Sequence, residues 1–220
     1  MGFLETFLNF DVMRAASPLL LAGLVTTLLL ASTSIVSGTV FGGFMALLKL
    51  YGPKPGRILS TIFIDIFRAI PVLVVLILVY YALPFAGIRF SPFVSAWLAL
   101  TLVLTAYAAE VFRAGLQAIP EGQFEASYAL GLPWFVMMRK VIFPQAFKLV
   151  VPPSTNNAVS ILKDTSLASV VAMPDLLKQA TDAQALNANP SPLIAAALMY
   201  LAILWPAVRL VAYLENRSRN

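Results

Sequence analysis

The chain contains no cysteine and no histidine. Without cysteine it can form no disulfide, no thiolate metal site and no thiol nucleophile, and its redox compartment is unreadable. Without histidine it lacks the residue behind most zinc sites and the usual general base. Charge is scarce as well: 11% of the 220 residues are charged, against roughly 25% in an ordinary soluble domain. None of the 11 glycines is followed by lysine, so the G-x-x-x-x-G-K-S/T phosphate cradle is missing and the chain binds no ATP in a P-loop of its own. These absences argue against an enzyme.

What is abundant is apolar. Sixty per cent of the residues are hydrophobic, and no charge falls in 19–48, 69–88, 90–109 or 183–208. Each stretch meets the roughly 18–20 apolar residues needed to cross a hydrocarbon core about 30 Å thick. A soluble protein of this length has no core large enough to hide four such segments. The sequence reads as an all-α integral membrane protein. Its net charge of +5 is explained by basic residues collecting in cytoplasmic loops, and no nucleic-acid partner is expected.

The first 17 residues carry Glu5, Asp11 and Arg14 and lack the positive n-region of a signal peptide. Phe3, Leu4, Phe7 and Leu8 recur at helical spacing, which predicts an amphipathic helix over 1–17 lying on the membrane surface. One transmembrane domain follows over 18–214, with spans at about 18–48, 59–83, 93–114, 149–173 and 191–213. Gly23, Gly38, Gly42 and Gly43 in the first span would let another helix approach closely. A loop at 115–148 separates the third and fourth spans, a polar loop the fourth and fifth, and 215–220 form a tail.

Charge sets the expected orientation. Arg14 alone precedes span one, whereas Lys49, Lys54 and Arg57 follow it, which places the N-terminus outside. Five crossings then put the 115–148 loop and the C-terminal tail in the cytoplasm. Ten basic residues fall inside under this scheme and three outside, while Arg68 and Lys163 lie within spans.

A charged side chain at mid-membrane costs roughly 2.5–3.5 kcal/mol on insertion scales. Asp65 and Arg68 stand three apart on one helical face. Snorkelling to the cytoplasmic interface would explain them, and the same holds for Glu110 and Arg113. Lys163 and Asp164 fall near the middle of the expected fourth span, with Asn156 and Asn157 one to two turns earlier and Pro152-Pro153 weakening its start. Irregular, polar backbone at that depth usually lines a cavity. Packing glue is the blander reading.

The 120–144 stretch reads as two short helices. Pro120 suits a first helical position, Gly131 stops the first helix, and Pro133 opens a second that ends before Pro144. The pair would present Phe124, Tyr128, Trp134, Phe135 and Met138 near the cytoplasm, where they need a membrane face, the protein's own spans or a docking protein to bury against.

Glu125-Ala126-Ser127-x-x-x-Gly131, nine residues, then Val141-x-Phe143-Pro144 resembles the E-A-A-x3-G-x9-I-x-L-P loop of type I ABC importer permeases. Ser127, Val141 and Phe143 depart conservatively from it. Phe67-Arg68-Ala69-Ile70-Pro71, Ala106-Tyr107-x-x-Glu110-x-x-Arg113-x-Gly115, Ile119-Pro120-x-Gly122-Gln123, Pro144-Gln145-Ala146 and Lys163-Asp164-Thr165-Ser166-Leu167 are similar to the polar amino-acid uptake branch of that family. Ala69-Ile70 replaces the commoner Gly-Thr.

The resemblance implies a permease subunit in a bacterial cytoplasmic (inner) membrane that moves a polar amino acid inward by alternating access. It implies pairing with a second copy or a paralogue, two separate ATPase subunits that bind the ATP and magnesium, and an external or periplasmic binding protein. Glu121, Gln123, Glu125, Ala126, Ser127 and Gly131 would belong to the cytoplasmic coupling helix that docks on an ATPase. The substrate pathway would carry Asn156, Asn157, Lys163, Asp164 and Thr165, with Asp65, Arg68 and Glu110 as candidate gates or supports. No cofactor or metal is expected in this chain. The alternative is a gradient-driven secondary transporter or channel, with Lys163-Asp164 as its ion site; the absence of an internal repeat speaks against it.

Overall fold

The computed structural model describes residues 2–219. Met1 of the expected surface helix and Asn220 of the expected tail lie outside the described residues. Ten α-helices follow in order: α1 (Phe3–Phe7), α2 (Phe10–Tyr51), α3 (Lys54–Ala69), α4 (Val72–Ile77), α5 (Pro92–Gln117), α6 (Glu121–Ala129), α7 (Trp134–Met137), α8 (Phe143–Asp164), α9 (Leu176–Asn187) and α10 (Ser191–Arg219). No strand occurs among the described residues.

The N-terminal segment does not form one surface helix over 1–17. Asn9 interrupts it, and its side chain accepts hydrogen bonds from the Asp11 and Val12 amides at 3.1 and 3.2 Å, an N-cap that starts α2 at Phe10. Similarly, 215–219 are not a separate tail but the last turns of α10.

Among the described residues, three segments are long and apolar enough to cross a membrane: Glu5–Tyr51, which contains α2, then Pro92–Gln117 and Ser191–Asn216. The expected helix over 59–83 is instead two helices. Pro71 forces Ile70 into extended backbone (φ −88°, ψ 131°), and Lys54–Ala69 meets Val72–Ala86 at a bend of 104°. Past Ile77 the chain widens into a π-helical turn (Leu78–Ala82) and tightens into a 3₁₀ turn (Leu83–Ala86).

The third departure lies around the prolines. The second helix expected in the 120–144 stretch does not stop before Pro144: it begins as α7 at Trp134. It runs through a π-helical turn, Met138–Ile142, straight into α8. Pro152 and Pro153 lie inside α8 without breaking it, and a 3₁₀ segment, Thr165–Val171, extends its far end. The polar loop expected after it holds a further helix, α9, capped by Asp175.

Helix α5 is central. Its Ala96, Ala99, Ala106 and Ala109 are fully buried, and small side chains let neighbouring backbones approach closely. Leu30 of α2, Val75 and Leu76 of α4, Leu100, Val103 and Leu104 of α5, Ile161 of α8 and Ala168 and Val171 beyond it form the main core. Gly42 packs where an added Cβ would lie 2.5 Å from the Ala108 Cβ, and Gly23 where it would lie 2.8 Å from the Asp175 carbonyl oxygen. Gly43, also expected at a close approach, has nothing nearer than the Phe112 ring at 3.9 Å.

Candidate functional site

Three groups of residues stand out. The first joins α2, α3 and α5 through one carboxylate. Lys49 Nζ lies 2.6 Å from Glu110 Oε1. Arg113 donates to Glu110 Oε2 from Nη2 at 2.7 Å and from Nε at 3.0 Å, and Arg68 Nη1 stands 3.9 Å from the same oxygen. The Arg113 guanidinium also reaches the Gln117 side chain. Arg68 turns to Glu110 and lies over the Tyr107 ring, 5.9 Å from its centroid, a cation–π geometry. Among the described residues it makes no ion pair with Asp65, although the two share a helix; Asp65 is exposed.

The second group is the α6–α7 loop. Glu121, Gln123, Glu125 and Ala126 are exposed, while Ser127 is buried and its hydroxyl donates to the Gln123 carbonyl at 2.7 Å. Gly131 has φ +68°. Its amide donates to the Tyr128 carbonyl at 2.9 Å and the Leu132 amide to the Ser127 carbonyl at 3.1 Å, the paired bonds of a Schellman stop. Tyr128, Leu130, Trp134 and Phe135 are exposed. Phe124 is half-buried, and Met138, expected with the exposed set, is buried at 1%. Its place is explained by the π turn: Met137, Met138 and Ile142 pack on Leu116 and Ile119 at the end of α5 and seat the loop there. Trp134 meets Tyr51 edge to face, with centroids 5.8 Å apart.

The third group is on α8 and just beyond. Asn156, Ser160 and Lys163 are exposed at spacings of four and three, so they form one polar stripe along the helix. Asp164 is half-buried against Val72, Leu76, Ala99 and Leu100. Thr165 is fully buried, and its hydroxyl donates to the Leu162 carbonyl at 2.7 Å. The Asn157 Nδ2 is buried without a partner among the described residues. Asn156 and Lys163 therefore share a surface, whereas Asn157, Asp164 and Thr165 turn inward.

Two features escaped sequence reasoning. Lys49 enters it only as a topology charge, because its partner is 61 residues away and nothing local announces the pair. The other is the seat of α9: the Leu176 amide donates to Thr27 Oγ1 of α2 at 3.0 Å. Asp175, fully buried, accepts from the Lys178 amide at 2.9 Å. Burial pushes the Asp175 carboxyl up to about 6, against the pull of the Lys178 and Leu177 amides. The described residues contain no cluster of three or more His, Cys, Asp or Glu able to hold a metal.

The site thus combines a membrane-type helical fold, a stopped helix pair seated on the end of the central helix and a carboxylate ringed by cations. Residues 38–220 match the family described as binding-protein-dependent transport system inner membrane components. The chain belongs to that family, whose members are the permease subunits of ABC transporters rather than their ATPases. It is 33% identical over 198 residues to the arginine transport system permease protein ArtQ of Bacillus subtilis, covering 89% of this chain and 90% of ArtQ. It is also 33% identical over 185 residues to the L-cystine transport system permease protein TcyB of the same organism, covering 84% and 79%. Among solved structures it is similar to a chain of an amino acid ABC transporter with histidines, at a TM-score of 0.87, 33% identity and 99% coverage of both chains. A chain of the MetNI methionine ABC transporter shares the fold at a TM-score of 0.72 and 20% identity.

Proposed function

We propose that this chain is the permease subunit of a type I ATP-driven importer for a polar amino acid in a bacterial inner membrane. The α6–Gly131–α7 loop carries the reading. It offers the exposed carboxylates Glu121 and Glu125 beside exposed Tyr128, Leu130, Trp134 and Phe135. An exposed apolar patch with charges at its edge is the composition of a protein-docking surface. The relatives named for arginine, cystine and glutamine support amino-acid cargo.

In this reading α2, the bent α3–α4 pair, α5, α8 with its 3₁₀ extension, and α10 make five crossings. The N-terminus lies outside and the α6–α7 loop in the cytoplasm. A second permease copy or paralogue completes the pathway, two ATPases dock on the loops, and a binding protein delivers cargo from outside. The stripe of Asn156 and Lys163, with Asp164 behind it, faces that pathway; Asn157 and Thr165 support it. Arg68, Asp65 and the Glu110 cluster sit at its cytoplasmic end as gate or support. Nucleotide-driven closure of the ATPases biases the two-state permease between inward- and outward-facing forms.

The test is reconstitution with the cognate ATPase and binding protein in proteoliposomes, followed by uptake of labelled amino acids. ATP-dependent uptake that is lost in Lys163→Met and Asp164→Asn, with assembly intact, supports the pathway. Normal uptake by both variants removes α8 from it. Uptake driven by an ion gradient without ATP would replace the importer by a secondary carrier.

A further inference from the structure

One large cavity lies outside the three groups already described, although it shares Lys49 and Arg113 with the ionic cluster. It measures about 930 Å³ and opens between α2, α3 and α5. Lys49, Lys54, Arg57 and Arg113 line it together with Ile58 and Ile62. Four cations thus face one space, and Glu110 is the carboxylate that answers Lys49 and Arg113. Lys54 and Arg57 have no ion pair among the described residues, and the first turn of α3 holds no acid.

Ile58 and Ile62 give the cavity an apolar side, and exposed aliphatic side chains continue beyond it along α3. Ile58, Ile62 and Ile66 follow at intervals of four and stay 52%, 50% and 46% exposed, with Leu59 beside them at 66%. Helix α3 therefore carries cations at its start and an uncovered aliphatic stripe beyond them, with exposed Asp65 and Arg68 near its far end.

We infer that this cavity binds one anionic phospholipid of the cytoplasmic leaflet, its phosphodiester held by Lys54, Arg57 and Lys49 and its acyl chains lying on the α3 stripe. The charge pattern and the stripe match the two halves of such a molecule, and the inner leaflet supplies it. A soluble phosphate would use the cations and leave the stripe bare. The inference rests on the proposed orientation, which puts this end of α2, α3 and α5 at the inner face.

The full-length chain, purified with its associated subunits, is titrated with dioleoyl phosphatidylglycerol and dioleoyl phosphatidylcholine and read by native mass spectrometry. The expected result is retention of phosphatidylglycerol about tenfold above phosphatidylcholine, abolished in Lys54→Gln/Arg57→Gln and kept in Lys54→Arg/Arg57→Lys. Equal retention of the two lipids by the unaltered chain, an undiminished preference in the Gln variant, or displacement of the lipid by millimolar inorganic phosphate overturns the site. On the unaltered chain, a photoactivatable phosphatidylglycerol should cross-link within residues 49–66; cross-links confined elsewhere overturn it independently of how any variant folds.

Orientation is read separately. The chain has no cysteine, so in Lys54→Cys position 54 is the sole target in this chain for a membrane-impermeant maleimide, read on the isolated band. Labelling only in inside-out vesicles supports the inner-leaflet site. Labelling from outside overturns it along with the orientation, whereas inside labelling without lipid preference overturns the lipid site alone.

Discussion

Lys49 at the end of α2 and Glu110 on α5 meet at 2.6 Å across 61 residues of sequence, and the same carboxylate holds Arg113 at 2.7 Å. Both Lys49 and Glu110 are four-fifths buried or more. Removing the one anion strands several cations, while removing one cation leaves the anion a partner. Glu110→Gln should therefore destabilise by about 2–4 kcal/mol and Lys49→Met by clearly less. Apparent melting temperatures of the two variants in the same detergent check the asymmetry; equal losses would refute it.

Adjacent glycines should behave oppositely. A methyl at Gly42 would lie 2.5 Å from the Ala108 Cβ and 3.1 Å from both the Ala109 amide nitrogen and the Thr105 carbonyl oxygen, so α2 must leave α5. At Gly43 the nearest neighbour is 3.9 Å away. Gly42→Ala should cost about 1–3 kcal/mol by overpacking, and Gly43→Ala should be neutral or stabilising by up to about 1 kcal/mol from helix propensity. Thermal melts of the two variants decide this.

Gly131 is a matter of backbone rather than space. No atom lies within 4 Å of an added Cβ, yet its φ is +68°. Gly131→Ala should cost about 1–2 kcal/mol, confined to the loop. The coupling reading adds a second readout: Gly131→Trp should insert in the membrane and fail to co-purify with its ATPase. Retained ATPase binding would remove the docking role.

Asp175 gives a pH dependence of definite sign. Its carboxyl is raised in the fold from 3.8 to about 6, so the folded chain binds more protons than the unfolded one between those values. Its contribution is fully present below pH 4 and is lost as pH rises towards 6 and beyond. The melting temperature of the native chain should fall relative to Asp175→Asn across that window and run parallel to it above pH 7. A constant difference across the window would show that Asp175 does not titrate there.

The apolar segments and the Gly131 stop were legible because each follows from local composition. The bend after Ala69 was equally present in the text as Ile70-Pro71, but the uncharged run on its far side masked it, and hydropathy averages over any turn. Pro144 misled for a different reason. It cannot donate to the carbonyl four residues back, which reads as a stop, yet the wider π turn directly before it absorbs the defect. Helix α9 looked like a polar loop because its Lys178, Gln179 and Asp182 outweigh the narrow face of Leu176, Ala180 and Ala183 that is buried. The Lys49–Glu110 pair and the cation-lined cavity depend on helices distant in sequence, and no local pattern encodes them.

The absence of a break at Pro144 makes Trp134–Asp164 one helical pole, about 45 Å from end to end at 1.5 Å per residue. Near one end it rests on α5 through Met137, Met138 and Ile142; at the other it carries Lys163. On the proposed coupling reading, a displacement beside Trp134 is passed along α8 to Lys163 together with the α5 residues Ala99 and Leu100 that pack on Asp164, so the loop and the pathway move as one body with the central helix.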